Sequence, residues 1–266
     1  RNETESQTSN IWFQYAVNCK VKCVISQNCN FAHIEANYSN NLEIEGSFFK
    51  DGFNYGGGGK AYGVMLHFGT GECLVYNNKF NHLRHSMIVQ AGANGNVFSY
   101  NYSDNPFWTD VTLPENSAGD MVLHGNYPYS NLFEGNICQN IVIDDSHGKN
   151  GPHNTFFFYF AELYGIFMNF SVPSDEQNFI GNEITNTEPL KGLYFLNGSG
   201  HFEYGNNVKS EIIPENTDEL SDSSYYLSKS LYWYESNEGF PPIGPPNKIS
   251  EFDNEASIRE SFVSCD

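Results

Sequence analysis

Residues 84–103 read RHSMIVQAGANGNVFSYNYS, and two short patterns lie inside that run. The first is three apolar residues closed by a polar one, Met87-Ile88-Val89-Gln90. The second is an apolar pair leading to an asparagine, Asn96-Val97-Phe98 before Asn101. Both recur. The first returns as Val64-Met65-Leu66-His67, Met121-Val122-Leu123-His124, Ile166-Phe167-Met168-Asn169 and Tyr194-Phe195-Leu196-Asn197. The second returns as Leu74-Val75 before Asn78, Asn131-Leu132-Phe133 before Asn136, Asn178-Phe179 before Asn182, and Phe202 before Asn206. Self-similarity at a fixed period is the mark of a repeat architecture.

Asn78, Asn101, Asn136, Asn182 and Asn206 are separated by 23, 35, 46 and 24 residues. The 46 is two units of 23, and the 35 is one unit carrying an inserted loop. The rung missing between Asn136 and Asn182 falls near Phe160, where Phe156-Phe157-Phe158-Tyr159-Phe160 supplies a strand and an aromatic replaces the amide. Ser47 is a candidate earlier rung. A unit this short, holding two or three strands, cannot bury its own apolar face and must stack on its neighbours. Stacking predicts a parallel β-solenoid whose equivalent residues lie ~4.8 Å apart, so that a column of Asn passes amide hydrogen bonds from coil to coil. Leucine-rich repeats need a denser Leu pattern, and propeller blades need ~40 residues in antiparallel hairpins.

Composition agrees with an all-β chain. The 22 Phe, 17 Tyr and 24 Gly favour strands and turns over helices. Lys and Arg number 13 against 32 Asp and Glu, and a net charge of −19 repels nucleic acid and anionic membrane surfaces. No run of ~18 apolar residues is present to cross a membrane. The chain starts at Arg1, which is expected of a processed product or a part of a longer parent chain. Its six cysteines show no C-x-x-C pair, so no metal ligands are assigned. Cys19, Cys23 and Cys29 are close enough for a local disulfide in an oxidising compartment, and Cys73 and Cys138 fit buried thiols in apolar strands.

RHSMIVQAGANGNVFSYNYS (84–103), GDMVLHGNYPYSNLFEGN (119–136) and DDSHGKNGPHNTFF (144–157) together resemble the pectate-lyase-like right-handed parallel β-helix superfamily, most closely the secreted β-helix proteins of Bacteroidota. The resemblance covers roughly residues 10–213. It implies a right-handed parallel β-helix over residues 1–213 and an extracellular or cell-surface location; no helical cap precedes the first strands at Ile11 to Val17 and Val21 to Ile25, so the N-terminal part of the helix is expected to be truncated. Residues 214–266 change character: SYYLSKSLYWY from Ser224 and PPIGPP from Pro241 look like the segment that leaves the helix, and they are expected to form an irregular cap or strap. The calcium-binding aspartates and Arg pattern of pectate lyases are not matched residue by residue. Polygalacturonase motifs are not matched either, beyond a faint likeness at Asp144-Asp145 and His147-Gly148.

Chemistry is expected where loops project beside a strand face. The long inserts are Asp104 to Ala118 and Asp145 to His153, with a turn at Gly56 to Gly59 in an earlier coil. Between them gathers the densest titratable cluster of the chain. Its candidate catalytic residues are Arg84, His85, His124, His147, Asp120 and Asp144. Its candidate binding residues are Lys60, Trp108, Tyr127, Tyr129, Asp145, Lys149 and His153. His124 and His147 are one coil apart and expected to stack; so are Asp120 and Asp144. Arg84 is expected to pair with a carboxylate, with Asp120 in the next coil as the candidate. A polysaccharide lyase needs a base and a cationic group to hold enolate-like charge, which Arg84 and the histidines offer; a glycoside hydrolase needs two carboxyls, which Asp120 with Asp144 or Asp145 would supply. His67, Gln90 and His124 share one repeat position, so His124 also reads as a structural rung, and Asp-Ser-His-Gly as turn chemistry. The expectation is a polysaccharide or surface-glycan binder that cleaves its ligand, lyase more than hydrolase, with calcium as the one candidate ion. The alternative is a non-catalytic adhesive or structural module that binds a glycan or a partner protein.

Overall fold

The computed structural model describes residues 7–111, 114–168, 172–218, 220–221, 223–228, 240 and 255–259. Nearly all its regular structure is parallel β-strand, laid down in eight successive coils whose strands form three ladders. The first coil is Ile11–Gln14, Lys20–Lys22 and Ile25–Cys29, and each strand lies parallel to its counterpart in the second coil, Ala32–Asn37, Glu43–Glu45 and Phe48–Gly52. The ladder begun by Ile11–Gln14 is called face one, and those begun by Lys20–Lys22 and Ile25–Cys29 are faces two and three. Ile137–Ile143 and Phe160–Met168 run straight from face three into face one, which joins those two faces into one sheet of 15 strands; face two is a separate sheet of eight. The arrangement is solenoid-like, as the 23-residue period requires.

Register shows why the sequence repeats. On face two, Ile44, Val75, Phe98, Phe133, Phe156 and Phe179 occupy one inward column. The four phenylalanines stack with centroids 5.2–5.3 Å apart. Each is fully buried, worth about 1.5–3 kcal/mol of transfer free energy.

The asparagine column sits at the corner between faces two and three. Ser47 N–H donates to Asn78 Oδ1, and Asn78 donates through both its amides to Asn101 Oδ1. Asn101 does the same to Asn136, and Asn182 to Asn206. Tyr159 fills the expected gap, its backbone N–H donating to Asn182 Oδ1. The residue before each rung is left-handed: Gly46, Asn77, Tyr100, Gly135, Phe158, Gly181 and Gly205. One such residue turns the chain through the corner, free of steric cost for Gly and about 1–2 kcal/mol for Tyr100 or Phe158. A second amide column runs through Asn96, Asn131, Asn154 and Gln177 at the other end of face two, which the spacing of the first column did not reveal.

Two expectations about cysteine are settled. Cys19 and Cys29 are free, so no local disulfide links them to Cys23, which is itself disulfide-bonded. Cys73 and Cys138 are buried free thiols. The described part of the tail lies back across earlier coils: the Tyr225 ring stacks on Phe157 at 4.1 Å, Tyr226 Oη lies 2.6 Å from Ser99 Oγ, and Arg259 Nη1 donates to Asn77 O. Trp233 and the proline-rich run lie outside the described residues. Among the described residues no helix is long and apolar enough to cross a membrane.

Candidate functional site

Strand alternation on face one sends Glu35, Met65, Ile88, Val122, Val142 and Phe167 outward in one column, and Asn37, His67, Gln90, His124 and Asp144 outward in the next. A cleft of about 970 Å³ lies over these columns. Met65, Val122, Val142 and Phe167 form an apolar floor, and the polar column forms one wall. The opposite wall is built by the inserts at the corner of faces three and one: Gly58 and Gly59 from one coil, and Trp108, Val111 and Ser117 to Gly119 from a later one.

Arg84, His85, Trp108, His124, Asp144 and His147 all line this cleft. Arg84 is 7% exposed; its guanidinium lies 4.3 Å from the Trp108 ring centroid and 5.6 Å from that of Tyr62, and its Nη1 donates to Gly56 O. Among the described residues it forms no ion pair with a carboxylate. Arg84 Nε and Trp108 Nε1 are both buried donors without an acceptor. An unsatisfied buried donor costs about 1–3 kcal/mol, more when charged, and this wall carries two of them.

His85 Nδ1 donates to Gly119 O at 2.7 Å, which leaves Nε2 as the ring's acceptor. Burial, then the charges of Arg84 and His124, push this histidine well below its ordinary pKa, so the ring is neutral at pH 7. His124 packs 5.8 Å from His85 between ring centroids, and its Nδ1 lies 2.7 Å from Asp144 Oδ2. Burial pushes the Asp144 carboxyl up, but the contacts with His124 and Ser146 outweigh it and hold the group below the usual carboxylate range. His147 meets His124 edge to face at 4.7 Å, and burial followed by the His124 charge lowers its pKa.

Three pairings expected from spacing are corrected. In the column His124 lies over Asp144, and His147 meets the His124 ring only edge to face rather than at the same repeat position. The cause is that Ile137–Ile143 runs from one face to the next without a turn, which shortens the coil, and His147 then follows in the loop. Asp120 faces Asn140, not Asp144, for the same reason. Arg84 does not pair with Asp120. That carboxylate is fully buried beneath the strands, where it accepts from Ser103 Oγ and from the backbone N–H groups of Gln139 and Asn140 at the irregularity in the ladder. Burial raises Asp120 to about 7.

The other candidate binding residues lie away from the cleft. Tyr127 and Lys149 line a second recess of about 120 Å³, with Lys149 paired to Asp175. Tyr129 is exposed beside Tyr127, and His153 is exposed on the same loop. Asp145 accepts from Val172 N, and Lys60 follows the glycine turn without lining the cleft. The sequence reading missed Glu35, whose carboxylate accepts from Ser9 and Asn37 and pairs with His67 at 3.2 Å. It also missed the run Ile141-Val142-Ile143-Asp144, a further copy of the apolar-triplet pattern, which would have put Asp144 in the column of His124. Among the described residues no three His, Cys, Asp or Glu side chains converge as a metal set.

Comparison with protein-family models, curated proteins and solved structures found no match to this chain.

Proposed function

We propose that the chain is a right-handed parallel β-helix protein, secreted or displayed at a cell surface, that binds an acidic polysaccharide along face one and cleaves it by β-elimination. The observation that carries this reading is the pair of unsatisfied buried donors, Arg84 Nε and Trp108 Nε1, beside a neutral His85. A uronate carboxylate supplies the acceptors and the counter-charge that Arg84 lacks. Its α-carbon then gives up a proton to His85 Nε2, Arg84 stabilises the enolate-like charge, the C–O bond to the leaving sugar breaks as the double bond forms, and His124, oriented by Asp144, donates the proton that the leaving oxygen takes up. A positioned base contributes about 10²–10⁴ in rate and a donor at the developing charge about 10²–10³. The disulfide at Cys23 suits an oxidising compartment.

Hydrolysis is less well served. Asp120 is out of reach of any ligand in the cleft, and the remaining cleft carboxylates, Glu35 and Asp144, stand four coils apart, ~19 Å at the strand spacing, against the 5–9.5 Å or so that paired carboxyls require.

The test is absorbance of the unsaturated uronate product, with reducing ends counted in parallel, on acidic and neutral polysaccharides with calcium or with chelator. A rise in absorbance that Arg84→Ala abolishes, with the fold retained by circular dichroism, supports elimination. Reducing ends without absorbance would replace it with hydrolysis. Glycan binding without turnover would replace it with the non-catalytic adhesive module.

A further inference from the structure

The floor column of the cleft does not stop at Glu35. Trp12 stands in register with Glu35, which stands in register with Met65, so Trp12 is the first-coil member of the column that both residues bring to the cleft. Its side chain is 56% exposed, whereas the equivalent Met65 and Ile88 are buried. Beside it, at the corner between faces one and two, Tyr15, Tyr38 and Phe68 stack at 5.2 and 5.5 Å with interplanar angles of 13° and 18°. Phe68 packs on His67 at 4.3 Å and lines the cleft itself. An exposed aromatic run therefore leads without a break from the cleft wall to the first coil.

Exposure of a large aromatic on a sheet face carries a solvation cost, and all three rings of the corner stack are 44–70% exposed. The stacked rings cover one another's faces and turn their edges outward, so they make a wall. Trp12 forms no ring stack among the described contacts, which leaves it as the flat apolar surface beside that wall. Residues 7–31 contain no Asp or Glu, in a chain of net charge −19, so the first coil adds no carboxylate of its own to repel an anionic ligand; its Lys20 and Lys22 lie on face two, paired with Glu43 and Glu45.

We infer that Trp12 is a distal sugar-stacking subsite, on which a pyranose ring of an acidic glycan lies when the glycan runs along the coil axis from Arg84 and His124 past Glu35. The inference rests on the glycan-binding reading of the cleft. The column from Trp12 to Phe167 covers seven coils, or ~29 Å at the strand spacing, so only a long oligosaccharide engages both ends.

The test is calorimetric titration of the whole chain with size-fractionated oligouronides prepared from polygalacturonate and from alginate, some short and some long enough to reach ~29 Å. Wild-type protein binds the long fraction of the preferred polymer more tightly than the short. Trp12→Ala removes that advantage, a loss of about tenfold, and leaves the short fraction unchanged, while Trp12→Phe restores part of it. The ligand-induced change in tryptophan fluorescence that only long chains produce disappears with Trp12. Equal affinity of wild-type protein for short and long chains, or an equal loss on both in Trp12→Ala, overturns the subsite and leaves the cleft reading standing. Absence of binding to any fraction overturns both.

Discussion

His124 Nδ1 and Asp144 Oδ2 lie 2.7 Å apart on adjacent coils, joined only because a strand crosses from face three to face one without a turn. Since Asp144 is held below its unfolded value, the pair contributes stability that is present above a pH of ~4 and is lost as pH falls through the lower folded value. Asp144→Asn is expected to cost about 1–3 kcal/mol at neutral pH in urea unfolding, with the difference from wild type closing in strong acid. Under the proposed elimination, in which the pair serves the leaving oxygen, turnover in the same variant should fall by roughly a hundredfold with little change in KM.

A second histidine sets the acid limit. His33 is fully buried between Ser26 and the carbonyl of Asp51, and burial lowers it to about 3. Its folded value lies below its unfolded one, so the unfolded chain takes up the proton first. Stability is complete above a pH of ~6.5 and declines below it by about 1.4 kcal/mol per unit. His33→Gln should flatten this decline in denaturant titrations between neutral pH and pH ~5.

Asp120 works in the opposite sense. Raised to about 7 by burial, it binds its proton in the folded state first, so its ionisation costs stability at higher pH and that cost is relieved as pH falls through about 7. Asp120→Asn keeps an oxygen to accept from Gln139 and Asn140 but removes the titration. It should make the loss of stability on acidification steeper than in wild type, in the same titrations.

Asn101 is fully buried, with its amide donating to Val75 O and Asn136 Oδ1 and its oxygen accepting twice from Asn78. Asn101→Ala strands several buried groups at once and should destabilise by about 3 kcal/mol or more, measured by chemical unfolding. The same burial keeps Asn101 from being glycosylated in a glycosylating host despite its Asn-Tyr-Ser sequence, which mass spectrometry of protein expressed in such a host would check.

Glu134 is buried on face two and accepts from Tyr225 N, while the Tyr225 ring covers Phe157. Tyr225→Ala should loosen the tail: limited proteolysis after Pro214 should accelerate severalfold while the melting temperature of the coils falls by only a few degrees.

The repeat was legible in the chain because stacking forces chemical identity onto equivalent positions. Asn78, Asn101, Asn136, Asn182 and Asn206 each need an amide to satisfy the next, and the Phe column each needs a ring to cover the next. Ser47 and the aromatic gap at Tyr159 could be placed from spacing for the same reason. The cleft residues Arg84, His85, His124 and His147 were legible as a cluster, since the inserts that wall the cleft break the period around them. Their partners were not. A one-dimensional period assumes equal coils, and the uninterrupted strand Ile137–Ile143 shortened one of them, moving Asp144 under His124 and sending Asp120 into the interior. Glu35 was invisible because its pairing with His67 depends on which outward columns adjoin across a sheet, and Trp12 because its column is defined by register rather than by residue type. The sequence by itself determined the stacking unit and its ladders, which rest on contacts repeated every coil. Only the tertiary structure decided the pairs in the cleft, because those depend on exceptions to the repeat and on loops meeting from coils far apart in the chain.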